Sequence, residues 1–163
     1  MAKAGKADKS ESDGRKVVAT NRRAFHDYHV MDRFEAGLKL LGAEVKSLRA
    51  GHCVISDAYA MVDRKKYAAW LFNLQIPEWN AGNQIERHEP KRKRVLLLHK
   101  REILRMRQTL KEQGLTLIPL SVYFRNGFAK IELGVCKGKK LYDKRESLKE
   151  KQAKREIARR VKH

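Results

Sequence analysis

The sequence predicts a mainly β protein with flanking helices and a flexible basic C-terminal tail. Two patterns set the class. Short segments of alternating apolar residues recur at a spacing that suits a small barrel or sandwich. Behind the last of them the composition turns abruptly basic. The chain has 163 residues, enough for one domain with a real core plus unpacked ends. Met1 to Lys16 (residues 1–16) reads as a polar arm, 17–136 as the globular body and 137–163 as the tail.

In chain order, Phe34, Ala36, Leu38 and Leu40 alternate with Glu35, Gly37 and Lys39, the period of a half-buried strand. Ala43 to Ala50 reads as a short helix with Val45 and Leu48 inward and Gly51 as its stop. Ala58, Ala60 and Val62, then Trp70, Phe72, Leu74 and Ile76, form two further period-two sets, with a charged turn at Asp63 to Lys66 between them. Pro77 to Arg94 reads as a polar loop ending in Lys91-Arg92-Lys93-Arg94. Val95 to Leu98 is apolar throughout and is expected in the core or at its rim. A helix follows over Lys100 to Gln113, with Ile103, Met106 and Leu110 as its stripe, His99 and Glu102 at its start, and Gly114 at its end.

Leu120 to Val135 is the clearest piece. Asn126-Gly127 demands a type I′ turn, because both central residues need positive φ. A two-residue turn there sets Phe124 against Ala129, Val122 against Ile131 and Leu120 against Leu133 on one apolar face. Tyr123 with Lys130, and Ser121 with Glu132, occupy the other. Slipping the register by one residue would bury Lys130 and Glu132, so the pairing is well specified.

The formal charge is +19, from 38 basic and 19 acidic residues. Like charges oppose compaction, so the excess points to a polyanionic partner: nucleic acid, an anionic membrane or an acidic protein. No apolar run approaches the roughly 20 residues needed to span a bilayer, and Met1 to Lys16 has no apolar signal core. No membrane partner and a cytoplasmic location are therefore expected. Cys53 and Cys136 form no CxxC pair and read as free, packed thiols.

A catalytic reading finds little to stand on. Neither GxSxG nor HExxH occurs, and the His26 and His29 spacing lacks the further ligands a metal would need. Gly134 to Lys140 resembles a phosphate loop but has three residues between its glycines instead of four, and Lys140 where the magnesium-binding hydroxyl should stand. No enzyme, metal or cofactor is expected. Gly134 and Gly138 among lysines do fit a flexible backbone lying against phosphates.

Basic clusters are the stronger signal. Asn21-Arg22-Arg23 with His26 and Tyr28, and Lys91 to Arg94, join cations to aromatics or to one another, as RNA backbones and exposed bases require. The tail, Lys137 to His163, holds twelve Lys or Arg against four Asp or Glu, a net +8. Ala153, Ile157 and Val161 make one narrow apolar stripe, and Glu150 with Lys154 and Glu156 with Arg160 are favourable helical pairs. Such a segment is a marginal helix by itself and is expected to be disordered alone. A polyanion would supply the missing stabilisation.

Taken together, Asn21-Arg22-Arg23-Ala24 with His26-Asp27-Tyr28, Phe34-Glu35-Ala36-Gly37, Glu44 to Gly51, Leu96-Leu97-Leu98, Leu120 to Asn126, Gly134-Val135, Lys137-Gly138-Lys139-Lys140 and Asp143-Lys144-Arg145 closely resemble the small protein B (SmpB) family, which binds transfer-messenger RNA in trans-translation. The resemblance implies an OB-like closed antiparallel β-barrel. It implies binding to the tRNA-like domain of that RNA, with the body standing in for a missing anticodon arm, and delivery to stalled ribosomes. The tail would enter the decoding centre of the small subunit and the empty mRNA channel and become helical there. Family RNA-binding positions fall on Glu35, Leu97 and Lys130. Its ribosome-directed positions fall on Gly138, Tyr142, Asp143, Lys144 and Arg145, beside Lys137, Lys139 and Lys140. Many relatives carry His where this chain has Tyr142; either ring can stack on a base. Elongation factor Tu and alanyl-tRNA synthetase would be met indirectly, through the RNA. The competing expectation from composition alone is a generic ribosomal or ribosome-assembly RNA-binding protein.

Overall fold

A computed structural model describes residues 14–81, 84–112 and 114–161. Most of the arm expectation, Met1 to Asp13, lies outside them. Arg15 and Lys16, assigned above to the arm, belong instead to the first strand, β1 (Arg15–Thr20). There follow α1 (Arg22–Asp27), β2 (Tyr28–Leu38), α2 (Gly42–Arg49), β3 (Tyr59–Val62), β4 (Ala69–Phe72), β5 (Trp79–Ala81), β6 (Gln84–Glu86), β7 (Arg94–Leu97), α3 (Lys100–Thr109), β8 (Leu115–Arg125), β9 (Phe128–Gly138) and α4 (Leu141–Arg160). The fold is mainly β with several helices, as expected. Its main sheet pairs in the order β1-β8-β3-β4-β7-β2-β9, and β9 pairs back onto β8, so six strands form a ring of pairings with β1 outside it. The link between β3 and β8 is the weakest in the ring, with one paired position, Ala60 with Leu117.

The β8–β9 hairpin turns at Asn126 (φ 50°) and Gly127 (φ 80°), as the Asn-Gly pair requires. Phe124 faces Ala129, Val122 faces Ile131, Tyr123 faces Lys130 and Ser121 faces Glu132. Leu120 departs from the expected register. A bulge lies between Pro119 and Ser121, so Pro119 rather than Leu120 faces Leu133. A bulge gives one strand an extra residue and turns the side chains beyond it onto the opposite face. Leu120 thus leaves the main core and joins Ala24, Ile118 and Cys136 in a second cluster under α1. Gly134, entertained above as part of a phosphate-binding backbone, is mid-strand here. A Cβ on it would come within 3.0 Å of Leu120 Cδ1 and 3.1 Å of Cys136 Sγ, so the missing side chain is what admits the bulged leucine.

β2 begins at Tyr28, well before Phe34, and ends at Leu38, so Leu40 lies beyond it. The Trp70-to-Ile76 alternation also changes phase. The core takes Ala69 and Leu71 from β4, then Leu74 and Ile76 after it. Asn73, at φ 57°, breaks the strand between them, which flips the inward face and leaves Trp70 and Phe72 outside. Pro77 to Arg94 is not all loop: β5 and β6 pair antiparallel within it. The α3 helix stops at Thr109, short of Gln113, which is outside the described residues, and Gly114 (φ 81°) lies beyond its end. Both cysteines are free thiols; burial pushes each up to about 11, so neither is a thiolate at neutral pH.

The core holds a buried ion pair that hydropathy reading passes over. Glu44, on α2, is fully buried and accepts from Arg94 Nη2 at 2.7 Å and Arg92 Nε at 2.8 Å. Arg94 is also fully buried and donates to the carbonyls of Leu74 and Pro90. Two of the four cations in the expected Lys91–Arg94 RNA cluster are thus committed to Glu44 inside the body. The same carboxylate accepts from the Leu41 backbone N–H at 2.8 Å and so starts α2. Glu102 on His99 and Asp143 on Lys140 repeat that device at the starts of α3 and α4. Burial alone would raise Glu44, but its hydrogen bonds from Arg92 and Leu41 and the charge of Arg94 bring it below the ordinary 4.5.

The tail, expected to be disordered alone, forms the 20-residue helix α4, none of whose residues is buried. Lys137 and Gly138, placed above in the tail, are the last residues of β9. His163 lies outside the described residues.

Glu44→Ala is expected to destabilise the fold by about 3–5 kcal/mol, because it leaves buried arginine charge uncompensated; urea unfolding measures it. Because Glu44's folded value is depressed, its contribution is complete above its unfolded value and is lost as pH falls through the lower folded one. The stability difference between parent and variant should therefore start to narrow below about pH 4.5, the ordinary carboxylate value, and go on narrowing as pH falls through Glu44's lower folded value.

Candidate nucleic-acid interface

Strand alternation places Glu35 and Gly37 on the outer face of β2, since Phe34, Ala36 and Leu38 enter the core. The register then assembles a row. Leu97 of β7 faces Gly37, Gly37 faces Lys130 of β9, and Lys130 faces Tyr123 of β8. Leu97 is 55% exposed, on the outer side of its strand. Its Cβ would lie 3.1 Å from any Cβ at position 37, so glycine there lets the leucine lie flat across β2. A shallow hollow of about 330 Å³ is lined by Gly37, Leu97, His99, Phe128 and Lys130 among others. The three positions singled out above, Glu35, Leu97 and Lys130, therefore share one surface. Phe128, 70% exposed at the hairpin tip, is a member that sequence reading passed over. Its position directly after the Asn-Gly turn was the available signal.

Glu35 is held, not loose. The Tyr123 hydroxyl donates to its carboxylate, and Arg125 Nη1 donates at 3.3 Å. The tyrosine hydrogen bond holds Glu35 below the ordinary carboxylate range against the effect of partial burial; Arg125 and Lys130 act in the same sense. Tyr123, expected on an outer face, is 1% exposed because Arg15 of β1 lies over its ring at 3.7 Å. Burial first, then Glu35, raises the phenol, so it stays a donor.

The Asn21-to-Tyr28 cluster divides. Asn21 is 2% exposed and serves the fold: its Oδ1 accepts from Ala24 N at 3.0 Å, capping α1, and its Nδ2 donates to the Pro119 carbonyl at 3.0 Å. Its side chain is thus engaged within the body. Arg22 is exposed, Arg23 bridges Asp27 and Asp57, and Tyr28 packs against the second cluster. His26 Nδ1 lies 2.9 Å from Asp27 Oδ1.

Asp27 is the second residue that sequence reading missed. His26 first, then Lys144 and Arg23, hold its carboxyl below the usual range. Lys144 reaches it at 3.4 Å from α4, Asp143 lies 3.7 Å from His29 Nε2, and Lys139 donates to the Phe25 carbonyl at 3.3 Å. Of the tail positions, Asp143, Lys144 and Lys139 face α1 and the start of β2. Lys137, Gly138, Lys140, Tyr142 and Arg145 are exposed. The two surfaces lie at opposite ends of β2, about 30 Å apart at a strand's rise of about 3.3 Å per residue. Among the described residues no helix is long and apolar enough to cross a membrane.

These features define a class: a small basic β protein with one mixed polar-apolar surface on its sheet and a cationic helix behind it. A family model described as SmpB protein matches residues 18–163. The SsrA-binding protein of Pelotomaculum thermopropionicum is 54% identical over 147 residues, covering 90% of this chain and 94% of its own. That of Acidothermus cellulolyticus is 53% identical over 150 residues, 92% of each. A solved structure described as "tmRNA-SmpB: a journey to the center of the bacterial ribosome" superposes with a TM-score of 0.63 at 43% identity, over 76% of this chain and 85% of that one. The chain belongs to the SmpB family.

Tyr123→Phe removes the hydrogen bond that does most to depress Glu35. Carboxyl NMR titration should show Glu35 rising towards the ordinary 4.5, while Glu44 stays where it is.

Proposed function

We propose that this chain is an adaptor that binds the tRNA-like domain of transfer-messenger RNA and delivers it to stalled ribosomes for trans-translation, the rescue of the ribosome and tagging of its peptide. The observation that carries the reading is the outer row of Leu97, Gly37 and Lys130 beside Glu35, at the end of β2 away from the tail helix. The relatives' name, SsrA-binding protein, and the tmRNA–SmpB structure support the same partner. In this reading Lys130 neutralises phosphate, Leu97 gives an apolar contact, and Glu35, kept ionised, accepts from a base amino group or a ribose hydroxyl. Arg22 and Arg23 add charge at the far end, beside His26.

The ring of six strands is, on this proposal, an OB-like closed barrel, its interior filled by residues from β2, β3, β4, β7, β8 and β9. The protein acts by binding and not as an enzyme, and it works in the cytoplasm. The tail, Lys137 to Arg145 and onward, probes the decoding centre and the empty mRNA channel. Away from the ribosome α4 is a marginal helix that frays beyond its contacts with Asp27 and His29, because none of its residues is buried. On the ribosome it is a continuous helix, with Tyr142 stacking on a base. Elongation factor Tu and alanyl-tRNA synthetase meet the complex through the RNA.

Removing residues 141–163 should leave affinity for the tRNA-like RNA mostly intact and abolish peptide tagging on stalled ribosomes; equal loss in a binding assay and a translation assay would overturn the division of labour. Lys130→Ala should weaken RNA binding and lower the salt slope by about one phosphate contact. Competition with generic duplex RNA separates this reading from a general ribosomal protein, which would show no preference for the tRNA-like fold.

A further inference from the structure

The outer face of β3 and β4 carries aromatic side chains that neither the core nor the surface around Lys130 uses. Tyr59 faces Phe72 and Met61 faces Trp70 across the two strands, while Ala60, Ala69 and Leu71 point inward. The Tyr59 and Phe72 rings stack with centroids 5.2 Å apart and planes at 12°. Lys93 Nζ stands 3.8 Å from the centroid of Trp70 and 5.5 Å from that of Phe72. Tyr59 is 37% and Met61 55% exposed, so the platform is open to solvent. Aromatic cross-strand pairs stabilise a sheet, but that role does not need a cation held above the rings.

Parallel rings on an open sheet with a cation beside them are the arrangement that takes unpaired bases. Every base offers a π-face for stacking, and its phosphate needs a nearby positive charge. The charge is supplied on both sides: Lys93 over the rings, and the exposed Arg64, Lys65 and Lys66 at the β3–β4 turn. The acidic residue of that turn, Asp63, accepts from the backbone of Lys65 and Lys66 and faces the turn itself. Position also favours RNA. Trp70 faces Val95 of β7, and Leu97 lies two residues further along the same outer side of β7. The platform therefore adjoins the surface read above as the site for the tRNA-like RNA.

We propose that the outer face of β3 and β4 is a second RNA-contact surface, which stacks unpaired bases on Tyr59 and Phe72 and holds their phosphates with Lys93. This extends the proposed function and rests on its assignment of RNA to the neighbouring strand, β7. The platform does not select the fold of the RNA; it takes a single-stranded part of an RNA selected elsewhere.

The test uses the full chain with Trp79→Phe, so that Trp70 is the sole tryptophan. It is titrated with an unstructured RNA heptanucleotide and, separately, with tRNA-like RNA. The heptanucleotide should quench Trp70 fluorescence. Phe72→Leu should weaken its binding about tenfold, within the range of base–aromatic stacking, and Lys93→Gln, a change on the surface, should weaken it without touching the sheet. Lys130→Ala should leave heptanucleotide binding unchanged while weakening the tRNA-like RNA. No quenching, or unchanged heptanucleotide affinity in both Phe72→Leu and Lys93→Gln, would overturn the platform. So would loss of ribosome binding in those variants with RNA affinity intact, which would assign the surface to a protein. Heptanucleotide quenching without any preference for tRNA-like over duplex RNA would keep the platform and overturn the adaptor reading instead.

Discussion

β9 is hydrogen-bonded along both edges, to β2 on one side and to β8 on the other, and nearly everything else depends on that double register. Its pairing with β8 is set by a turn that tolerates one geometry. Its pairing with β2 closes the ring and brings Glu35, Gly37 and Lys130 onto neighbouring positions of one face. Both edges carry a bulge, at Val30/Asp32 in β2 and at Pro119/Ser121 in β8, and β9 runs unbulged between them. The straight strand acts as the template and its neighbours bend around it. A change that shifted β9 by one residue would turn Lys130 inward and Ile131 outward together.

The buried Glu44 answers a different problem. The segment between β4 and β7 makes few regular pairings of its own, and its backbone carbonyls need donors. Arg94 supplies them to Leu74 and Pro90, and Glu44 balances the charge that Arg94 carries into the core. One carboxylate thereby joins α2 to the long connection and to the first residue of β7, the strand that carries Leu97.

What the sequence showed follows from how local each cause is. The Asn126-Gly127 hairpin was legible because a two-residue turn with positive φ has few solutions, and alternation then placed Lys130 outside. Glu35 was legible by the same rule. Leu97 was not resolved between core and surface, because Val95 to Leu98 is apolar at every position and only strand pairing decides which residues face in. Leu120 and Trp70 were misjudged where one residue, a bulge or the left-handed Asn73, reversed the phase of a strand. Arg92 and Arg94 read as surface charge because their partner lies about fifty residues earlier in the chain. The structural role of Asn21 was hidden for the same reason: the carbonyl it donates to belongs to Pro119, across the fold.

The separation of the two surfaces along β2 has a mechanical meaning. β2 is paired to β9 from Tyr28 to Gly37, and β9 is paired in turn to β8, so this ladder resists stretching and bending and makes the distance between the Lys130 end and the Asp27 end a fixed gauge. Only Lys139 and Lys140 separate β9 from α4, and Lys139 N is itself tied to the Asp27 carbonyl at 2.9 Å. A load on the helix is thus carried into the strand almost without slack. Whatever seats α4 also dictates, to within a few ångströms, where the far end of the molecule can stand.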